Sequence, residues 1–318
     1  MLYKLFLIPS RIALYFYCRK IIINNRSMLK ERGPLLIAAN HPNSFLDAII
    51  VGSLFKSPVY SLARGDAFAG KFITKILWSF NMLPVYRVSE GVENLEHNYT
   101  TFEACEKLFE EDKIVLIFSE GRCVNEWHLR PLKKGTARLA WNAWENNIPL
   151  KVLPLGINYS SFRSFGKNFF LNFGSIISKN DFQHDISFGK YVKDFNEKLN
   201  AQLENLVFEV SKSDAEKAKD ILYIHQPFLK RILLFIPAVI GFATAAPLYF
   251  LFHLIIKNRA YDHYDSIMTG LLFFFYPLYV LAITLIVFFS TNQAYAFFLL
   301  IILPFSAWSY LQMKKQLR

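Results

Sequence analysis

An imidazole and a carboxylate six positions apart carry the first chemical signal of this chain. The segment Asn40-His41-Pro42-Asn43-Ser44-Phe45-Leu46-Asp47 follows a short apolar run, Leu35–Ala39. A neutral imidazole takes a proton from an attacking hydroxyl, and a carboxylate on its other ring nitrogen fixes the tautomer and stabilises the imidazolium. Asp47, expected in the first turn of the next helix, can reach back to His41. Taken alone, a His and an Asp at a loop edge are commonly only caps. Cations after two later apolar runs add to the pair. Leu83-Pro84-Val85-Tyr86 ends on Arg87, and Ile117-Phe118-Ser119 leads into Glu120-Gly121-Arg122, with Lys133-Lys134-Gly135 opening a further helix. A guanidinium grips phosphate through paired hydrogen bonds, and a neighbouring glutamate can hold it in place. The combination is a proton acceptor accompanied by phosphate-binding cations.

These groups need a scaffold that sets them at strand ends. The short apolar runs Leu35–Ala39, Val59–Leu62, Leu83–Tyr86, Ile114–Phe118 and Lys151–Ile157 predict buried strands. Between them Ala67–Phe80, Asn94–Glu110 and Gly135–Asn147 predict helices, and Tyr191–Lys219 a solvated outer helix. Strands alternating with helices predict an α/β domain, a mostly parallel sheet covered by helices. In such domains ligand sites lie beyond the carboxyl ends of the strands, where His41, Arg87 and Arg122 fall.

Composition adds a membrane. Of 318 residues 53% are hydrophobic, 32 are Phe and only 19% are charged, against ~25% charged in an ordinary soluble chain, which excludes intrinsic disorder. Residues 232–256 and 266–313 contain no Asp, Glu, Lys or Arg at all. About 20 apolar residues cross a bilayer core, so the second run holds two antiparallel spans, Ile267–Phe289 and Ala294–Tyr310, joined at Ser290–Gln293. The first run, basic at both flanks and interrupted by Pro237, Gly241 and Pro247, is expected to bend and return to its own side, with a single tilted crossing as the alternative. The apolar, aromatic N-terminus with Lys4, Pro9 and Arg11 predicts a helix lying in the membrane interface, or packed on the globular domain. This gives three regions: an interfacial helix in 1–28, the α/β domain in 29–225, and a helical membrane region in 226–318. Three widely spaced cysteines exclude a disulfide scaffold. The net charge of +11 divides as +3 in residues 232–318 and +8 in the rest, where acids and bases mix, so a nucleic-acid partner is not expected.

The blocks as they stand resemble the PlsC-like glycerolipid acyltransferases. That family carries a His-x4-Asp motif, a block ending in Arg, a Glu-Gly block and a Pro-containing strand; here they are Asn40–Asp47, Leu83–Arg87, Phe118–Arg122 and Val152-Leu153-Pro154-Leu155, over roughly residues 30–175. Five residues separate His41 from Asp47, a spacing similar to the fungal branch acting on glycerol-3-phosphate and dihydroxyacetone phosphate. Arg122 follows Gly121 directly, where Glu-Gly-Thr-Arg is commonest. The resemblance implies a membrane-bound enzyme of phospholipid synthesis. It would move a fatty acyl group from acyl-CoA or acyl carrier protein, its co-substrate, to glycerol-3-phosphate or 1-acylglycerol-3-phosphate. It implies His41 and Asp47 as the catalytic pair, Arg87, Glu120, Gly121 and Arg122 as substrate-binding residues, and neither metal nor bound cofactor. Membrane lipids are the expected surroundings, with the catalytic domain on the cytoplasmic side, where thioester donors are found. The rival reading is a non-catalytic lipid-binding scaffold with the same fold.

Other chemistry is weaker. Ser44 and Ser119 lie outside any Gly-x-Ser-x-Gly nucleophile motif, and Ser44 is expected to cap its turn. Cys123 reads as an inert thiol, and Asp262-His263-Tyr264-Asp265 as an interfacial loop.

Overall fold

The computed structural model describes residues 2–86, 97–183, 186–211, 213–258 and 263–317. Seven strands make one mixed sheet in the order β1-β7-β6-β2-β5-β3-β4. They are β1 (Cys18–Ile23), β2 (Leu35–Ala39), β3 (Val59–Arg64), β4 (Met82–Val85), β5 (Ile114–Phe118), β6 (Lys151–Tyr159) and β7 (Lys167–Phe173). Strands β2, β3, β4, β5 and β6 run parallel where they pair, with Ala39 level with Phe118 on one side and Leu155 on the other. Every residue of β2 is buried, which is why it reads as an unbroken apolar run.

Helices α1 (Leu2–Tyr17), α2 (Phe45–Leu54), α3 (Lys71–Ser79), α4 (His97–Glu110), α5 (Gly135–Glu145), α6 (Phe188–Leu206) and α7 (Ala215–Leu222) alternate with or follow the strands. The single helix expected over Ala67–Phe80 is a 3₁₀ turn, Gly65–Phe68, followed by α3. Gly70, at φ +82°, makes the break, in a conformation that L side chains rarely adopt. Helix α6 is not merely solvated: Tyr191, Phe195, Leu199 and Leu203 bury one face in the core that Leu36, Val115, Ala140 and Val152 also build.

The chain divides into two compact units. The first takes Met1–Arg11, Ile22–Asn158 and Phe170–Lys212; the second takes Ile12–Ile21, Tyr159–Phe169 and Ser213–Arg318. In the first, Tyr3 donates its hydroxyl to the Gly52 carbonyl and Arg11 Nε to that of Ser53, so the start of α1 packs on the end of α2. Leu5 and Ile8 of the same helix remain exposed, as do Phe72 and Trp78 of α3.

The second unit holds α8 (Phe228–Ile256), α9 (Tyr264–Thr291) and α10 (Leu299–Met313), and three helical stretches there are long and apolar enough to cross a membrane. The turn between α9 and α10 falls at Asn292, which adopts left-handed backbone at φ 54°. The region expected to bend back is an unbroken helix with Pro237 and Pro247 inside it. Its two ends nevertheless share a neighbourhood. Lys230, in the first turn of α8, donates to Gln312 in the last turn of α10 (2.8 Å). His253, in the last turn of α8, meets Tyr264 at the start of α9 (2.8 Å), and Lys314 just past α10 lies over the Tyr249 ring. Because α9 and α10 run antiparallel, both ends of α8 are tied to one end of that pair. Asp265, instead of lying in an interfacial loop, is buried. It takes an ion pair from Lys167 and a hydrogen bond from Tyr17.

Candidate active site

Strand β2 delivers the chain to Asn40, whose amide is locked to β6: Nδ2 donates to the Ile157 carbonyl (3.0 Å) and Oδ1 accepts from the Ile157 N–H (2.7 Å). With residue 40 pinned, the loop 41–44 turns into α2. Ser44 makes that turn at φ 54°, ψ −145°, a region L residues avoid at a cost of about 1–3 kcal/mol. Its side chain makes no cap bond to the helix, contrary to the expected role.

The strained turn folds Asp47 back beneath the loop. Its Oδ2 lies 2.9 Å from His41 Nδ1 and accepts the Asn43 N–H at 2.8 Å, and the carboxylate is fully buried. Two donors on one buried carboxylate satisfy it, and the bond to Nδ1 fixes the His41 ring with Nε2 as its other nitrogen. The ring also stacks on Phe118, the last residue of β5, at 3.8 Å between centroids and 11° between planes. Its side chain is 13% exposed, so the imidazole is held on two sides and open on a small one.

Glu120 follows β5 and turns inward. Oε2 accepts the His41 N–H (2.8 Å) and Oε1 the Arg130 N–H (2.9 Å). The residue is 5% exposed. Burial pushes its carboxyl up to about 7, against the pull of the two N–H groups; the Asp47 charge adds to the rise and Arg130 opposes it. Glu120 was expected among the substrate-binding residues; in the structure both of its oxygens accept backbone N–H groups. Val124 N–H returns to the His41 carbonyl, and Asn125 Nδ2 donates to that of Pro42 (2.7 Å). The loop 119–125 is thus sewn to the loop 40–44 along its length. Sequence reasoning missed Phe118 and Asn125; the aromatic at the end of β5 was the only available sign.

Gly121 sits at φ +63°, with Lys133 Cγ 3.0 Å from where a Cβ would stand, so a side chain here would be strained and would press on Lys133. Arg122 points to solvent and makes no ion pair among the described residues, and Lys133 and Lys134 are exposed beside it in sequence order before α5. Arg87 lies outside the described residues. Ser119 has its hydroxyl on Thr136 (2.9 Å), buried, and Cys123 Sγ accepts the Ser44 N–H (2.9 Å). Among the described residues, no three His, Cys, Asp or Glu groups converge as metal ligands.

Comparison with known proteins agrees with the four sequence blocks. Residues 20–158 match the family described as Acyltransferase. A search of curated proteins finds no match. Among solved structures, the chain is similar to PlsC, the 1-acyl-sn-glycerophosphate acyltransferase of Thermotoga maritima. The identity is 14% and the TM-score 0.43, over 62% of this chain and 76% of that one.

Proposed function

We propose that this chain, whose residues 20–158 match the family described as Acyltransferase, acylates a glycerol phosphate at a membrane. The acceptor is a hydroxyl of glycerol-3-phosphate or 1-acylglycerol-3-phosphate, and the donor a thioester, acyl-CoA or acyl carrier protein. The observation that carries this reading is the His41 Nδ1–Asp47 Oδ2 bond at 2.9 Å, which leaves Nε2 as the ring nitrogen not engaged by Asp47. In the proposed step Nε2 takes the acceptor's proton while the oxygen attacks the thioester carbonyl. The tetrahedral intermediate then collapses, the C–S bond breaks, and the departing thiolate recovers the proton from His41. Asp47 keeps the ring oriented and offsets the imidazolium charge, and base assistance of this kind is worth ~10²–10⁴-fold. No acyl-enzyme forms, and the reading assigns no metal or bound cofactor, because the thioester supplies the leaving group and His41 the base.

Glu120 acts here as a positioning residue that holds the His41 backbone. Arg122, with Arg87, is assigned to the acceptor phosphate or the donor's phosphates, and Gly121 lets the backbone come close to the substrate. The exposed Leu5, Ile8, Phe72 and Trp78 fit a domain that rests on lipid, from which an acylated acceptor would enter. The catalytic domain belongs on the cytoplasmic side, where the donors are. Two crossings, α9 and α10, then return the C-terminus inside, with α8 entering and leaving on that side.

The test is acyl transfer by purified protein across three acceptors (glycerol-3-phosphate, lysophosphatidate, a lysophospholipid without a free phosphate monoester) and two donors. A preference for the phosphate monoesters is expected. Absence of transfer in all six combinations would leave a lipid-binding scaffold.

A further inference from the structure

The second unit contains a cavity of about 420 Å³, within the ~300–1,000 Å³ range of small-molecule sites. Arg19, Lys219, Arg231, Lys314 and Lys315 line it together with His225, and no Asp or Glu does. Five cations converging on one hollow repel each other unless an anion sits among them. Arg19 makes the point sharpest. Its Nη2 donates to the carbonyls of Leu311 and Lys314, while Nε and Nη1 are buried with no hydrogen-bond partner among the described residues. Burial pulls its pKa down to about 10, with Tyr223 opposing the fall.

The place of the cavity says what kind of anion. Arg231 belongs to the first turn of α8, and Gln312 and Met313, also in the lining, to the last turn of α10. Beside Arg231, Phe228, Leu229, Ile232 and Leu233 are all more than half exposed, and the helix beyond them carries no charged residue until Lys257. Cations lining the hollow and uncovered apolar side chains in the adjoining turns of α8 suit the two parts of one ligand, a phosphate with acyl chains attached. We propose that this basic hollow, lined by no residue of the His41 loop, binds the headgroup phosphate of an anionic membrane phospholipid.

Basic pockets between membrane helices gain about 1 kcal/mol for each Lys or Arg near an anionic lipid surface, roughly fivefold in affinity. Lys219 and Lys315 are exposed and hold no structural bond among the described residues, so Lys219→Gln with Lys315→Gln should leave the fold intact. The detergent-purified, delipidated full chain is titrated with phosphatidylglycerol and with phosphatidylcholine, and lipid retained is read by native mass spectrometry. Wild type should retain phosphatidylglycerol in preference to phosphatidylcholine, and the double variant should retain it about ten- to thirty-fold more weakly at unchanged melting temperature. Equal retention of the two lipids, or of phosphatidylglycerol by wild type and variant, overturns the proposal. A third arm adds glycerol-3-phosphate and inorganic phosphate at millimolar concentration. Full displacement of the lipid by either would assign the hollow to a soluble phosphate and also overturn it.

Discussion

Glu120→Gln separates the brace from the chemistry. Both oxygens of this buried carboxylate accept backbone N–H groups, from His41 and Arg130, yet burial holds its pKa near 7 where an ordinary glutamate lies at 4.5. Between those values the folded chain keeps a proton that the unfolded chain has released. Stability therefore falls as pH rises from about 4.5 to about 7. At ~1.4 kcal/mol for each pH unit between the two values, Glu120 accounts for about 3 kcal/mol of that fall. Glutamine has no such proton and one acceptor oxygen for two donors. A buried donor left unsatisfied costs about 1–3 kcal/mol. E120Q should thus be less stable than wild type at pH 5 by that amount, and equal to or above it at pH 8. Unfolding in detergent micelles, followed by tryptophan fluorescence from pH 4.5 to 8, reads both ends of the comparison. A slope in E120Q as steep as in wild type would refute the assignment of the titration to Glu120.

Three further outcomes are expected. His41→Ala should lower acyl transfer ~10²–10⁴-fold with the folded state retained, and Asp47→Asn nearly as far, measured by turnover alongside circular dichroism; near-normal turnover in His41→Ala removes the proposed mechanism. Arg87→Ala should raise KM for a phosphorylated acceptor about ten- to a hundred-fold while leaving the donor's KM in place, as loss of a charge-assisted contact of about 1.5–3 kcal/mol would; a change confined to the donor would move Arg87 to the carrier's phosphates. For topology, a cysteine placed at Lys315 in a variant lacking the three native cysteines should resist an impermeant maleimide until cells are lysed, and labelling of intact cells would mean three crossings. Lys315 is the right probe because its neighbour Gln316 is buried, bonded to Asn168 and to both backbone groups of Ile224.

What the sequence made legible follows from how each element is buried. β2, β5 and β6 are covered on both faces and read as continuous apolar runs, so the strands themselves were visible. β7 was missed because Lys167, Asn168 and Asn172 interrupt its apolar residues, though Lys167 and Asn168 are buried on partners far along the chain. β1 was hidden because it begins at Cys18 directly after α1 ends at Tyr17, with no turn residue between. In the candidate site, the spacing of His41 and Asp47 suggested the pair only together with the cations that follow later strands. The inward turn of Glu120 was not readable, since its second partner is a backbone N–H ten residues on, which no side-chain pattern encodes. The hollow lined by Arg19 and Lys314 joins opposite ends of the sequence, and charge counting alone cannot assemble it.

That last separation has a consequence for biogenesis. The second unit joins residues far apart in the sequence, Ile12–Ile21 with Ser213–Arg318. Arg19 finds its carbonyl partner Leu311 only 292 positions later, and Tyr17 waits for Asp265. A ribosome delivering the chain therefore leaves these polar groups without those partners until the later segments emerge, whereas the sheet around β2 and β5 can assemble much sooner. The second unit should therefore close later than the sheet, and ribosome-stalled chains that stop before α9 should leave Arg19 and Tyr17 open to proteolysis while the His41 loop is already folded.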